Sequence, residues 1–352
     1  RSSDLVCGAG ESLDETLPPP KAFIIAVDAA FPALLARGIM PDAVVSLESQ
    51  SIIHKAYIGA AQYTGTSKKR PLLFADIASL PAVVRDFAGR TVWFASKYTE
   101  AGFLDRLLER GIIKAFLPPL GSVGLSAVDI ALTLRAEPSV PIFVTGLDFS
   151  YSMGLTHAKG TPHHLSRLNT SSRLHPAANY DAAFAGGAFF IQDKRGLPMI
   201  SSKVMKAYAD TFAGCFCREK LLFDLGTSGI PLGIPQCTKE LCIRALNEWD
   251  AQDTALSPSL NTGREISEKV TSFYADEKKA LETLRDLLIF GEKSVFRDSS
   301  MTLDEQLYRA LRGREYLYLH FPDGYAPSTA LSFLKRVRVE IDFFLKQIAK
   351  AS

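Results

Sequence analysis

The residues most able to do chemistry in this 352-residue chain concentrate in residues 146–164, GLDFSYSMGLTHAKGTPHH. His157, His163 and His164 lie in this stretch, and His175 follows it. Histidine can bind a metal ion or act as a general base near neutral pH. Adjacent histidines point in different directions on a regular element, and no His-x-His or His-x-x-x-His pair with a carboxylate occurs. The spacing therefore predicts no metal site, and leaves a general base or a merely polar loop as the alternatives.

Acidic residues stand where several predicted strands end. Asp28, Glu48 and Asp76 end the apolar runs AFIIAVD, AVVSLE and PLLFAD, and Asp148 follows PIFVTGL. In an open α/β sheet, ligands bind at the carboxyl ends of the strands. Asp28 comes about 20 residues after Gly8, where an acidic residue contacts a ribose hydroxyl in nucleotide-binding βαβ units. Capping of the next helix explains Asp28 equally well.

Two glycine turns accompany these acidic residues. The turn in CGAGESLDE, residues 7–15, lacks the third glycine of a dinucleotide fingerprint, because Leu13 takes its place. The turn GSVG, residues 121–124, opens a predicted helix whose free N–H groups and dipole favour an anion, but it lacks the Lys-Ser/Thr of a P-loop. Together the strand ends and turns predict a nucleotide or sugar-nucleotide crevice. The binding residues expected there are Gly8, Ala9, Gly10, Ser12, Asp28, Glu48, Asp76, Gly121, Ser122, Gly146 and Leu147.

The elements that must position these residues form an α/β pattern. Short apolar runs alternate with segments of helical period, which predicts a Rossmann-like, doubly wound and mostly parallel sheet. The predicted strands are 4–8, 22–28, 43–48, 71–77, 91–96, 112–118, 141–149 and 220–225. The periodicity collapses over about 150–200, which predicts an irregular lid, and a helix resumes at SSKVMKAYADTFAG.

The chain is longer than a single hydrophobic core usually supports, so we predict two domains. Residues 1–236 form the α/β domain with its lid, and residues 237–352, with long amphipathic segments and no clear strand, form a helical domain. A net charge of +2 gives no strong bias toward nucleic acid, and no apolar run approaches the length of a membrane span. Five scattered cysteines and no signal peptide predict a reducing, cytoplasmic location, with an N-terminus that looks trimmed.

Four stretches together resemble the Maf family of bacterial motility accessory factors, which have an MptE-like, sialyltransferase-like central domain. These are GAGESLDE, AVDAAFPALLARGIMPDAVVSLE, GSVGLSAVDIAL and GLDFSYSMGLTHAKG, and the similarity covers most of residues 4–236. The family consists of cytoplasmic flagellin glycosyltransferases. The resemblance implies inverting transfer of a nonulosonic, sialic-acid-like sugar, such as pseudaminic or legionaminic acid, from a CMP donor. Flagellin Ser or Thr hydroxyls would be the acceptors, no cofactor would be required, and a homo-oligomer is left open.

The resemblance carries over to particular residues. The sialyltransferase pattern Gly-Asn-Gly-Pro-Ser-Leu matches residues 8–13, with its asparagine and proline replaced. The donor-contacting serine of those enzymes matches Ser122, and their polar residues after the second and third strands match Asp28 and Glu48. Their lid histidine has no counterpart, since serines 201 and 202 occupy its place.

Such a transfer needs a base for the attacking hydroxyl and donors for the departing phosphate. With the lid histidine replaced, His157 is the first candidate base, followed by His163, His164 and His175. Tyr151 and Lys159 are candidates for the leaving phosphate. Two arginines, Arg167 and Arg173, are candidates for the donor carboxylate. The expected catalytic residues are His157, Asp148 and Tyr151, and His157→Ala should slow transfer at least about 100-fold if His157 is the base.

Two other functions fit the same pattern. A pterin-type diphosphokinase on this fold would bind ATP with Mg²⁺ on strand-end carboxylates such as Asp28, Glu48, Asp76 and Asp148. A degenerate nucleotide-binding scaffold would explain the altered position of the base. Binding of CMP without metal supports the glycosyltransferase, Mg²⁺-dependent ATP binding supports the kinase, and no nucleotide binding supports the scaffold.

Overall fold

The structure, a computed structural model, describes residues 4–19, 22–58, 70–87, 89–98, 100–176, 184–249, 262–294, 298 and 300–351. The chain forms two compact units. The first comprises Arg1–Ser96 and Leu117–Leu256, and the second comprises Lys97–Phe116 and Ser257–Ser352.

A seven-stranded parallel sheet forms the centre of the first unit, which confirms the predicted α/β fold. Its strands are β1 (Asp4–Cys7), β2 (Phe23–Val27), β3 (Ala43–Ser46), β4 (Leu72–Asp76), β5 (Thr91–Phe94), β6 (Ile142–Thr145) and β9 (Leu222–Asp224). Their order is β5-β4-β3-β2-β1-β6-β9. The chain thus winds outward from β1 to β5 and returns beside β1 with β6, so a topological switch point lies between β1 and β6.

The described residues also form α-helices on and beyond the sheet. They are α1 (Phe31–Leu35), α2 (Pro81–Asp86), α3 (Gly102–Glu109), α4 (Val123–Leu134), α5 (Pro162–Thr170), α6 (Lys203–Phe216), α7 (Lys239–Trp249), α8 (Thr262–Phe290), α9 (Leu303–Leu311) and α10 (Leu331–Ala351). Helix α4 is apolar on most of its surface and packs on β1, β2 and β3, with Leu125, Val128 and Ala131 buried. This packing fixes the start of α4 at the carboxyl edge of the sheet.

The prediction of a strand at 112–118 is wrong. Only one bridge forms there, between Ser96 and Leu117, where the Leu117 N–H donates to the Ala95 carbonyl at 2.9 Å. Pro118 and Pro119 follow at once, and proline cannot extend a ladder of hydrogen bonds. This apolar segment instead connects the second unit to the first.

The lid is more regular than the sequence predicts. Helix α5 begins at Thr161, whose hydroxyl accepts from the His164 N–H, with Pro162 in the first turn. A two-stranded antiparallel sheet follows, formed by β7 (Ala188–Gln192) and β8 (Pro198–Ser202). Its turn is held by the Asp193 carboxylate, which accepts from two backbone N–H groups of the same turn. The remainder of the predicted loop, 177–183, lies outside the described residues.

The division into units differs from the predicted boundary at 236/237. Helix α7 buries Cys242 and Leu246 in the core of the sheet, so the first unit continues past that boundary. Helix α3 belongs to the helical unit, where Phe103 packs edge-on against Phe273 and Tyr316. The core of that unit includes Leu281, Leu311, Val337 and Ile341. The helical unit is therefore discontinuous in sequence.

Glu277 is the main buried charge of the helical unit. Its carboxylate pairs with Arg106 and with the Arg314 Nε at 3.0 Å, and it accepts from the Tyr316 hydroxyl. Within the described part of the chain, no helix has the length and apolar character to cross a membrane.

Candidate functional site

A cleft of about 230 Å³ opens at the carboxyl ends of β1, β2 and β6, at the switch point of the sheet. Four segments that are distant in sequence form its floor: the turns after β1, β2 and β6, and the start of α4. Residues from the lid and α6 complete it. The lining residues are Gly8, Ala9, Gly10, Val27, Asp28, Ala29, Ser122, Val123, Gly124, Gly146, Leu147, Asp148, Phe149, Ser150, Thr156, His157, Met205 and Tyr208.

The glycines of the cleft allow two turns to approach one another closely. The Gly8 N–H donates to the Thr145 carbonyl at 2.7 Å, and the Gly10 N–H donates to the Gly146 carbonyl at 2.8 Å. A Cβ at Gly8 would lie 2.2 Å from the Gly146 oxygen, and Gly146 itself has a φ of +69°. Close contacts within the chain therefore account for the glycines at these positions.

Asp148 is held by Ser12 beneath the cleft. Both the N–H and the hydroxyl of Ser12 donate to the Asp148 carboxylate, and the Ser12 Oγ accepts from the Gly146 N–H at 3.1 Å. Burial raises the pKa of Asp148 to about 6, against the lowering effect of the Ser12 hydrogen bonds and of Lys194. Ser12 is fully buried and does not line the cleft. It therefore positions Asp148 rather than forming part of the cleft wall.

A buried ion pair ties the β7–β8 turn to the end of β9. The Lys194 ammonium lies 2.5 Å from the Asp224 carboxylate, with both side chains 3% exposed, and it also donates to the Gly226 carbonyl at 3.3 Å. Its charge lowers the pKa of Asp148. The sequence gives no signal for this lysine, because the segment DKRG has the composition of an exposed turn.

Asp28 follows β2 and lines the cleft with a side chain that is almost completely buried. Its carboxylate accepts from the next N–H along the chain, that of Ala29, at 2.7 Å. Burial raises the pKa of Asp28 to about 7; the Ala29 hydrogen bond lowers it, and the charge of Glu48 raises it. A carboxyl group with such a pKa exists in both protonation states near neutral pH.

The start of α4 forms a second polar wall. Ser122 precedes the helix, and its side chain makes no capping hydrogen bond to the helix backbone. The first N–H groups of α4 have no partner within the helix, and the helix dipole adds positive potential at this end. Gly124 packs under Leu147, since a Cβ there would lie 2.6 Å from the Leu147 side chain. This wall has the chemistry of a phosphate site.

His157 reaches the cleft from the lid. The Ala158 N–H donates to the Ala9 carbonyl at 2.9 Å, which fixes this part of the lid to the turn after β1. The His157 ring stacks on the His163 ring, with centroids 4.4 Å apart, and its Nδ1 lies 3.0 Å from the Thr156 hydroxyl. Burial, followed by the positive charges of His163 and Arg167, lowers the pKa of His157 to about 4. His157 is therefore neutral at physiological pH.

Several other expected site residues lie outside the cleft lining. Tyr151 is buried and pairs through its backbone with Ile200 of β8. Asp76 accepts from the backbone of Ala78 and Ser96 at the end of β4, each at 2.9 Å. Six more expected residues are also absent from the lining: Glu48, Gly121, Lys159, His163, His164 and His175.

The lid arginines differ in their surroundings. The Arg167 guanidinium donates to the Thr156 hydroxyl at 2.6 Å and so stands directly behind the cleft wall, whereas Arg173 is exposed. Of the two serines that replace the lid histidine, Ser201 donates to the Phe149 carbonyl at 2.9 Å and Ser202 caps α6. The lining residues that the sequence did not single out are Val27, Ala29, Val123, Gly124, Phe149, Ser150, Thr156, Met205 and Tyr208.

Of the four carboxylates expected at the strand ends, Asp28 and Asp148 line the cleft, whereas Glu48 and Asp76 do not. Asp148 is occupied by Ser12, and Asp76 by backbone N–H groups of its own turn and of Ser96. Over the residues that the structure describes, no three His, Cys, Asp or Glu side chains form a group that could hold a metal ion.

Comparison with known proteins finds a family match over the first part of the chain. Residues 2–154 match the family model described as 6-hydroxymethylpterin diphosphokinase MptE-like. These residues, less than half of the chain, are thus similar to an MptE-like domain, which confirms that part of the predicted resemblance.

Two longer proteins are similar to nearly the whole chain. An uncharacterized protein of Treponema pallidum (strain Nichols) is 34% identical over 369 residues, covering 98% of this chain and 61% of that protein. The Maf glycosyltransferase from Magnetospirillum magneticum AMB-1 superposes with a TM-score of 0.48 at 16% identity, over 99% of this chain and 55% of that one. The chain thus spans about three-fifths of the curated relative that it matches.

Proposed function

We propose that this protein is a Maf-type glycosyltransferase that transfers a nonulosonic sugar from a CMP donor to Ser or Thr hydroxyls of flagellin in the cytoplasm. The observation that carries the proposal is the cleft at the β1–β6 switch point, where the start of α4 and a buried carboxyl group line the same small space. The start of α4 can bind a nucleotide phosphate, and the carboxyl group can accept the proton of an attacking hydroxyl. The family motifs of residues 4–236 supply the donor class.

Ser122 and the first N–H groups of α4 bind the donor phosphate in this proposal. They stabilise the negative charge that grows on the phosphate as the bond to the sugar breaks. Arg167, behind Thr156, adds positive potential toward the donor carboxylate without a direct contact to the cleft. Either His157 or Asp28 takes the proton of the attacking hydroxyl, since both line the cleft.

The MptE-like match favours a second candidate, a diphosphokinase acting on a hydroxymethylpterin. That reaction uses Mg²⁺ to bridge the phosphates of ATP. The hydrogen bonds that occupy Asp148 and Asp76 support the glycosyltransferase, because a metal ion would have to displace them.

Nucleotide binding separates the two candidates. We expect CMP and CTP to raise the melting temperature of the full chain in the presence of EDTA, and Ser122→Ala to weaken that shift. Transfer is then measured as CMP release from CMP-legionaminic and CMP-pseudaminic acid in the presence of flagellin. Stabilisation by ATP with Mg²⁺ and none by CMP would instead favour the diphosphokinase, and no shift with any nucleotide would favour a scaffold.

A further inference from the structure

We propose that Asp28 is the proton acceptor of the transfer reaction, and that His157 is not. This inference rests on the proposed function, since it names the group that activates the acceptor hydroxyl. The argument begins from the place of Asp28 in the sheet and continues through its neighbours.

The sheet places Asp28 beside the turn that lines the cleft. Strand β2 pairs with β1 in the register Cys7↔Ala26, and continuing that register brings Asp28 level with Ala9. Ala9 and Asp28 both line the cleft, together with Ser122 from the start of α4. Asp28 therefore borders the same cleft as the uncapped end of α4, where the phosphate of the donor is expected.

The other groups around Asp28 are acidic or neutral. Glu48 interacts with it from the end of β3, and the Tyr57 hydroxyl from the end of the 3-10 helix Ser51–Ala56. His157 faces the cleft from the lid and is neutral. Among the described residues, no lysine or arginine pairs with Asp28, so no cation holds this carboxylate in its ionised form.

Ser46 and Tyr57 carry buried hydroxyl groups, and Tyr57 interacts with Asp28. A side-chain hydrogen bond with Ser46 lowers the pKa of Tyr57, although neither buried hydroxyl has a partner of standard geometry among the described residues. Burial and the Asp28 charge raise the pKa of Tyr57, so its hydroxyl stays protonated.

Contacts and proton affinity both separate the two candidates. The His157 ring stacks on His163 and its Nδ1 lies 3.0 Å from the Thr156 hydroxyl, whereas the Asp28 carboxylate accepts a backbone hydrogen bond from Ala29. Burial and Glu48 raise the pKa of Asp28 to about 7, and burial lowers the pKa of His157 to about 4. A general base works best when its pKa lies near the working pH. Asp28 meets this condition, whereas His157 is a much weaker proton acceptor.

The reaction step balances with Asp28 as the acceptor. The oxygen of the acceptor hydroxyl forms a bond to the anomeric carbon of the sugar, and its proton moves to the Asp28 carboxylate. The bond between that carbon and the phosphate oxygen breaks, and its electron pair leaves with CMP. Asp28 then returns its proton to solvent.

The test compares Asp28→Asn with His157→Gln and with Asp129→Asn in the full chain. Asp129 is the matched control because burial also raises the pKa of this carboxyl group, yet it lies within α4 and outside the cleft lining. We expect Asp28→Asn to reduce CMP release at least about 100-fold while the affinity for CMP changes little. His157→Gln should cost less than about 10-fold, and Asp129→Asn should match the wild type.

The pH profile gives a second readout that a merely structural role would not move. The wild-type kcat/KM should rise with pH through a midpoint near 7, because only ionised Asp28 accepts the proton. Glu48→Gln should shift this midpoint to lower pH, since the charge of Glu48 raises the pKa of Asp28.

Other results overturn the proposal. An Asp28→Asn variant with nearly wild-type activity would do so, as would a midpoint that Glu48→Gln leaves in place but His157→Gln abolishes. If Asp28→Asn fails to fold, the Glu48→Gln profile alone decides. If the wild-type chain binds CMP and releases none from either CMP sugar, the proposed function fails and this step fails with it. Loss of activity in His157→Gln alone defeats only the inference.

Discussion

Asp28 should lower the stability of the folded chain near and above neutral pH, where its carboxyl group must ionise while buried. A carboxyl group whose pKa is raised from 3.8 to about 7 by burial binds its proton more tightly in the folded state than in the unfolded chain. Stability contributed by the protonated group is therefore full below pH 3.8 and is lost as the pH rises toward 7. Such functional sites commonly trade stability for activity.

We therefore expect Asp28→Asn to stabilise the chain above pH 7. The increase in the free energy of unfolding should approach roughly 4 kcal/mol at pH 8, which corresponds to the rise of the Asp28 pKa from 3.8 to about 7. It should vanish near pH 4. Urea unfolding of the wild type and the variant at both pH values measures it. A stability difference that stays constant with pH would contradict the raised pKa of Asp28.

Individual site residues were predictable where a strand end or a helix start fixed them. Asp28, Ser122 and Gly146 were found from the sequence because each directly follows a strand or precedes a helix, and parallel strands bring such ends to one edge. Thr156 and Tyr208 were not, because the path of the lid and the face of α6 depend on tertiary contacts that leave no period in the sequence. The pKa difference between Asp28 and His157 could not be predicted from the sequence either, since burial in the folded chain is the main cause of both shifts.

At the scale of elements, the turns after β1 and β6 act as one unit. Gly10 leaves room for the Asp148 carboxylate, because a Cβ there would lie 2.5 Å from Asp148 Oδ2. Any side chain at this position pushes Asp148 away from Ser12 and opens the floor of the cleft. The contact between the two turns thus depends on the absence of a side chain at Gly10, as it does at Gly8 and Gly146.

Gly10→Ala should destabilise the chain by roughly 1–3 kcal/mol, the usual effect of overpacking, and should weaken CMP binding. Gly214→Ala in α6 is the matched control, because no atom lies within 4 Å of its Cβ position. This second change should be neutral or stabilise by up to about 1 kcal/mol, as alanine favours a helix. Thermal unfolding and CMP titration check both, and equal effects of the two substitutions would argue against the close contact.

Periodicity located the buried elements and failed on a connecting segment and on a partly exposed strand. Helix α4 and strands β1 to β4 have continuous apolar patterns that specify buried elements. The segment 112–118 carries the same kind of apolar run, but it is a connection that ends in two prolines. Strand β7 escaped prediction because Phe189 and Phe190 are adjacent, which breaks the alternation expected of a half-buried strand.

At the scale of the whole molecule, the units interleave along the chain. Composition revealed the helical C-terminal part but could not assign α3 to it, since α3 lies among the strands and has an ordinary amphipathic pattern. The contacts of Phe103 with Phe273 and Tyr316 make that assignment, and they join residues too distant for any local signal.

The first unit should fold without residues 97–116 and the C-terminal helices. We expect a chain of residues 1–96 and 117–256, joined by a flexible linker of about eight residues, to unfold cooperatively, because the linker can span neighbouring strands. The same chain ended at 236 loses α7 and the burial of Leu246, which should cost at least roughly 1.5–3 kcal/mol. Circular dichroism during heating compares the two. Equal melting temperatures would place the boundary at 236 after all.

The route of the chain also sets an order of events on the ribosome. Helix α3 is synthesised soon after β5 and long before Phe273 and Tyr316, against which its Phe103 packs. The nascent protein therefore exposes the apolar face of α3, including Leu107, while β1 already pairs with β2. Exposed apolar segments of this kind aggregate or are captured by chaperones. Slow translation of the last helices should thus lengthen the period in which the newborn chain depends on such protection.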